Sequence, residues 1–207
     1  MSDQEPIIIR SSLSTAFLTN DFKGQPSLYV SFTNQYNWLY NDKGSGARAD
    51  LSVFRPNPSD KSYFIVGDYA QGNHRDPTGS SLIIKEVNGD PRNPILKAPS
   101  DYTLLWNDRG TGGRYDGSCW KAVAPDGYLA LGFVFNNSYG KPNIPNYVCI
   151  RKDFVTGSSA GSQIWNDAGT GISNDLELFE LGGVSGAFVA QANHQPYTGT
   201  AYKLIVT

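Results

Sequence analysis

One long pattern occurs three times in this 207-residue chain. The first copy carries Leu39, Tyr40, Asn41, Asp42, Gly44, Ser45, Gly46 and Asp50, and reaches Phe54. The second carries Leu105, Trp106, Asn107, Asp108, Gly110, Thr111, Gly112 and Asp116, and reaches Trp120. The third carries Ile164, Trp165, Asn166, Asp167, Gly169, Thr170, Gly171 and Asp175, and reaches Phe179. Repetition of this length confines the chain to an architecture of like units packed together. Each copy reads as a hairpin. Asn and Asp side chains take local backbone N–H groups, and Gly supplies the positive φ that a tight loop needs. The residues after the second Asp alternate with period two, the mark of a half-buried strand. Phe54, Trp120 and Phe179 are therefore expected to be equivalent core residues.

A second hairpin follows in each copy. Its strands fall over residues 63–70, 127–134 and 186–192, and its closing strands over 82–87, 147–152 and 202–206. No helical periodicity intervenes. The expected fold is all-β and β-prism-like: three four-stranded repeats with pseudo-threefold symmetry, in a single domain over residues 1–207. The repeats cover approximately 36–88, 102–155 and 163–207. Residues 7–35 are expected to complete the sheets, the third in particular. A trefoil or a propeller would use the same strands in another arrangement.

Composition narrows the function. The formal net charge is −2, and no dense basic patch stands out, so nucleic-acid binding has no electrostatic footprint. No apolar stretch is long enough for a membrane-spanning helix. The acidic opening from Met1 to Glu5 does not read as a signal peptide, which points to the cytoplasm, or to secretion without one. The two cysteines, Cys119 and Cys149, each sit in an apolar strand-like run and are expected to be buried free thiols, with a cross-strand disulfide as the alternative. No metal-ligand spacing surrounds them, and no cofactor is expected.

Three sets of residues carry the candidate chemistry. Asp42, Asp108 and Asp167 are expected to cap their own turns, and Asp50, Asp116 and Asp175 to tie each loop to the next strand. A calcium ion held by these pairs is the weaker reading, because calcium wants six or more oxygens. The second set is the hairpin tips. Gln71, Asn73 and His74 match Gln191, Asn193 and His194, followed by Tyr197, while the middle copy has Asn137 there. Uncharged amides and imidazoles suit sugar hydroxyls, and tyrosine rings suit a sugar face. The third set, Trp38, Trp106, Trp120 and Trp165, is expected in the core. With only two histidines and no nucleophile motif, an enzyme is not expected. Triplicated acidic residues also favour structure or multivalent binding over a singular catalytic centre.

The segment Trp120, Lys121, Pro125, Gly127, Tyr128, Gly132, Pro145, then Val148, Cys149, Ile150, Arg151, Lys152, Asp153, Phe154, then Ile164 to Gly171, resembles the vacuolar protein sorting-associated protein 62-like family. The match is best over residues 102–180. The first repeat departs from it, with Phe54, Arg55 and Pro56 and no Gly before Tyr63. The resemblance implies a β-rich interaction module and names no substrate.

The expected function is a non-catalytic, lectin-type recognition module. Its polar tips would engage glycans or glycolipids, with several weak sites acting together. The alternatives are a trafficking adaptor that binds short protein motifs, and the membrane-targeting part of a defence protein or toxin. The sequence leaves the oligomeric state open.

Overall fold

The computed structural model describes residues 7–9 and 24–205. Among them there is no α-helix, only one 3-10 turn at Lys152–Phe154. The strands in chain order are β1 (Ile7–Ile9) and β2 (Ser27–Thr33), then β3 (Tyr36–Asn41), β4 (Ser52–Pro56), β5 (Phe64–Ile65), β6 (Tyr69–Gln71) and β7 (Ser81–Val87). Next come β8 (Leu96–Lys97), β9 (Asp101–Asn107), β10 (Ser118–Val123), β11 (Tyr128–Leu129), β12 (Val134–Asn136) and β13 (Cys149–Arg151). The last are β14 (Val155–Ser158), β15 (Ala160–Asn166), β16 (Glu177–Leu181), β17 (Phe188–Gln191) and β18 (Ala201–Leu204).

The strands form small antiparallel sheets in a recurring scheme. Three sheets have the orders β3-β4-β6, β9-β10-β12 and β15-β16-β17, one from each copy of the pattern. In each, the first hairpin slips by one residue, at Leu39, Leu105 and Ile164. A bulge of this kind re-aims the side chains beside it. Here it sits immediately before Tyr40, Trp106 and Trp165, all fully buried.

The closing strands belong to other sheets, with orders β1-β2-β7-β5, β8-β13-β11 and β14-β18. Each joins the strand before a repeat to the strand that ends it. The four strands of a repeat therefore do not share one sheet. The N-terminal strands complete the first repeat's closing sheet rather than the third's, because β2 pairs along its whole length with β7, and residues 10–23 lie outside the described residues. The third repeat has β14 for that purpose. The sequence reads residues 127–134 as one strand, but the chain turns there between two sheets, as β11 and β12.

That turn is where the repeats meet. A Cβ on Gly67 would lie 3.0 Å from the Gly132 Cα and 3.3 Å from the Ala187 Cβ, so only the smallest residues fit. Backbone bonds link the same place: Asp68 N–H donates to the Phe133 carbonyl, and Phe133 N–H to that of Phe188. Tyr40, Trp106, Trp165, Phe135 and Phe188 form a continuous aromatic cluster beside it, with neighbouring ring centroids 5.6–6.4 Å apart. Edge-to-face packing of this kind adds to simple area burial.

Phe54, Trp120 and Phe179 are buried in matching registers, paired with Trp38, Leu104 and Gln163. Trp38 itself departs from the core expectation. It is 43% exposed and packs edge-on against Tyr115, with centroids 4.8 Å apart. Its position lies on the outward side of the bulge. Cys119 and Cys149 are free and buried, and burial pushes the Cys149 thiol up to about 12.

Candidate functional site

The three pattern loops fold alike. Asn41, Asn107 and Asn166 each accept the backbone N–H two residues on, at 3.2–3.3 Å. The paired glycines of each loop take positive φ, from 76° to 106°. Asp42 Oδ1 accepts the Leu51 N–H at 2.9 Å, Asp108 Oδ1 the Gly117 N–H at 3.1 Å, and Asp167 Oδ1 the Leu176 N–H at 3.0 Å. The tie expected of the second aspartate is thus made by the first. The first aspartate of each pair ties the loop to the next strand, and the asparagine before it makes the turn.

The loops also interlock. Arg48 N–H donates to the Ala168 carbonyl at 2.9 Å, and Arg114 N–H to the Lys43 carbonyl at 2.8 Å. The aromatic of each repeat reaches into the loop of the next. Trp106 Nε1 donates to Asp167 Oδ2 at 3.0 Å, and Trp165 Nε1 to Asp42 Oδ2 at 2.9 Å. Tyr40 completes the circuit toward Asp108. Its ring fills the space beside Gly117, where a Cβ would come within 2.4 Å of it. Burial, then the charges of Asp108 and Asp42, push the phenol far above its ordinary range. The Tyr40 hydroxyl approaches Asp108 closely enough for a weak hydrogen-bonding interaction, but its geometry falls short of a full hydrogen bond. Burial likewise raises the Asp108 carboxyl, against the pull of the Gly117 amide and of the Tyr139 and Tyr40 hydroxyls.

The second set of sequence candidates sits over these loops, and most of its polar atoms are engaged internally. Gln71 Nε2 donates to Asn73 Oδ1 and to the Arg75 carbonyl, and Asn73 Oδ1 also accepts the Arg75 N–H. Gln191 bonds the Gln195 carbonyl and accepts the Thr198 N–H, while Asn193 accepts the Gln195 N–H. Tyr197 donates to the Thr200 carbonyl. His74 Nε2 lies 2.6 Å from Asp42 Oδ1, and His194 Nε2 lies 2.7 Å from Asp167 Oδ1. In the middle repeat Tyr139 takes the histidine's place and donates to Asp116 Oδ1 at 2.9 Å. Asn137 is exposed at its tip.

These pairs latch each tip onto its loop. In the first and third repeats the tip side chains are therefore largely engaged within the chain rather than free for a ligand, while Asn137 stays exposed. Two clusters, Asp42 with Asp50 and His74, and Asp167 with Asp175 and His194, bring their ligand-type atoms within 4.8 Å of one another. Their inner carboxylates are already taken. Asp42 accepts from Leu51, Trp165 and His74, and Asp167 from Leu176, Trp106 and His194. The outer carboxylate of Asp50 remains 60% exposed.

The structure reveals a concave feature that the sequence reading missed. A groove of about 900 Å³ runs between β6 of the first repeat and β15 of the third, along the turn at residues 182–187. Phe32, Tyr69, Gln71, Gln163 and Glu180 line it, so Gln71 alone of the tip candidates reaches it. The three repeats differ at this junction. Gln163 stands in the register held by Trp38 and Leu104, opposite Phe179, Phe54 and Trp120. In sequence register, Gly161 replaces Tyr36 and Tyr102, and Glu180 replaces Arg55 and Lys121. β15 also carries a second irregularity, between Ala160 and Gln163, that β3 and β9 lack. Small and polar residues on a bent edge leave the space open. Arg55 shows the contrast, since it is spent in a forked ion pair with the buried Asp68, 2.9 Å at each prong. Comparing the three copies position by position was the signal available in the sequence.

Fold and loops together define a β-rich module assembled from three like units. The chain belongs to the family described as Vacuolar protein sorting-associated protein 62, which it matches over residues 27–193. Among solved structures it is similar to GNIP1Aa from Chromobacterium piscinae, with 32% identity and a TM-score of 0.67. That likeness covers 82% of this chain and 34% of the other, so the chain spans about a third of that protein's length. Comparison with curated proteins gives no match.

Proposed function

We propose that this chain is a non-catalytic recognition module of lectin type, its three repeats set prism-fashion about a pseudo-threefold axis, with the groove between β6 and β15 as its glycan seat. The observation that carries this reading is the open junction itself. The side chains of Gln163 and Glu180 line it without a side-chain hydrogen bond or ion pair among the described residues. A concave site with a few convergent polar groups is the usual form of a small-ligand pocket. Amide and carboxylate groups match sugar hydroxyls, and Phe32, 44% exposed, presents a ring to a sugar's apolar face. The clusters of Asp with His or Tyr recur in all three repeats as latches, which supports a structural role for them over catalysis.

A peptide-binding adaptor is the second reading, because β6 and β15 are both sheet edges. The extra bulge in β15 counts against it, since bulges blunt an edge for strand addition.

The test is a glycan array with the whole chain, the Gln163→Trp variant, and a His74→Ala/His194→Ala double variant. Gln163→Trp installs the residue that the first repeat carries in this register. Binding by the wild type that is lost in Gln163→Trp is the expected result. No glycan bound would remove the reading. Loss only in the histidine variant would return the ligand to the hairpin tips.

A further inference from the structure

Resting on the glycan reading, we infer that the groove selects a sugar bearing a protonated amine, an unacetylated hexosamine unit, with Glu180 as its recognition residue. Glu180 is the one charged side chain in the lining. Among the described residues no cation pairs with it. Lys203 packs along Gly183 at the neighbouring turn but does not line the groove. The charge is also particular to this junction, because the matching positions hold cations, Arg55 and Lys121.

Gly161 places the carboxylate. A Cβ there would lie 3.1 Å from Glu180 Oε2, so the absent side chain lets Glu180 lie along β15. An ammonium meeting this carboxylate makes charge-assisted hydrogen bonds, roughly twice as strong as those of a neutral hydroxyl. Tyr69 and Phe32 supply aromatic surface in the same groove, which favours a cation over an anion. An N-acetylated sugar loses the charge and adds bulk at the same atom.

The experiment is titration calorimetry of the full chain with three tetrasaccharides: glucosamine, N-acetylglucosamine and glucose, at about pH 6, where carboxylates are ionised. The glucosamine tetramer should bind about ten-fold more tightly than the other two, and added salt should reduce that advantage. Glu180→Gln should abolish the preference, so that any change it makes to neutral-glycan binding falls equally on all three tetramers. Gln163→Trp should abolish both. Equal affinity for the amine and acetylated tetramers, or a preference that survives Glu180→Gln, overturns the inference and leaves the glycan reading standing. Absence of binding to these tetramers and to every array glycan removes both.

Discussion

Trp165 donates its indole N–H to Asp42, 123 residues earlier in the chain, and that bond closes a circuit of three repeats. The circuit is uneven. Two links are hydrogen bonds from tryptophan to carboxylate, and the third, from Tyr40 toward Asp108, is a close approach whose geometry falls short of a full one.

The unevenness predicts unequal mutational costs. Trp165→Phe and Trp106→Phe each remove a donor from a buried carboxylate and should cost about 1.5–3 kcal/mol. Tyr40→Phe removes a hydroxyl whose interaction with Asp108 is only weak and should cost less than about 1 kcal/mol. Urea unfolding midpoints of the three variants check the order. A Tyr40→Phe loss as large as the tryptophan losses would contradict it.

The raised Asp108 carboxyl predicts a pH effect of definite sign. Its folded pKa lies above that of the unfolded chain, so the native state holds the proton more tightly. Stability should fall as pH rises from the unfolded aspartate value, about 3.9, through the raised folded value, and level off above it. Asp108→Asn should therefore gain on the wild type across that window. Parallel stability curves for the two proteins between acid and neutral pH would show the assignment to be wrong.

Gly117 stands where the other repeats have the buried Leu51 and Leu176, because the Tyr40 ring occupies its side-chain space. Gly117→Ala should cost about 1–3 kcal/mol by overpacking. In a Tyr40→Leu background the same change should cost clearly less. A double-mutant cycle with no coupling would separate the two residues.

The clusters containing His74 and His194 predict indifference to chelators. Their inner carboxylates already serve three internal donors each, so no ion should be needed to neutralise them. Thermal melts with and without EDTA should coincide. A drop in melting temperature that added divalent metal reverses would reassign both clusters as ion sites.

Much of this fold is legible in the residues. The alternation around Asp50, Asp116 and Asp175 places the strands, and the Asn-Asp and Gly-x-Gly spacing places the loops, because both depend on neighbours close in sequence. Trp38 is misread for the opposite reason. The bulge at Leu39 decides which way it points, and a bulge leaves no mark on hydrophobic periodicity. The tips are misread because polar composition fits a ligand and a self-bonded turn equally well. Only the geometry of Gln71 and Gln191 separates the two. The groove is a difference between copies at Gly161, Gln163 and Glu180, and a search for what the copies share passes over it.

The circuit through Tyr40, Trp106 and Trp165 has a consequence for copy number. In an open solenoid a unit can be added or deleted at an end, because each one contacts only its neighbours. Here the last unit returns to the first, so no end exists at which to add or remove one. A fragment with the third unit alone would leave Asp167 without its indole donor and Trp165 without its carboxylate acceptor. Association with two more of its kind would restore both.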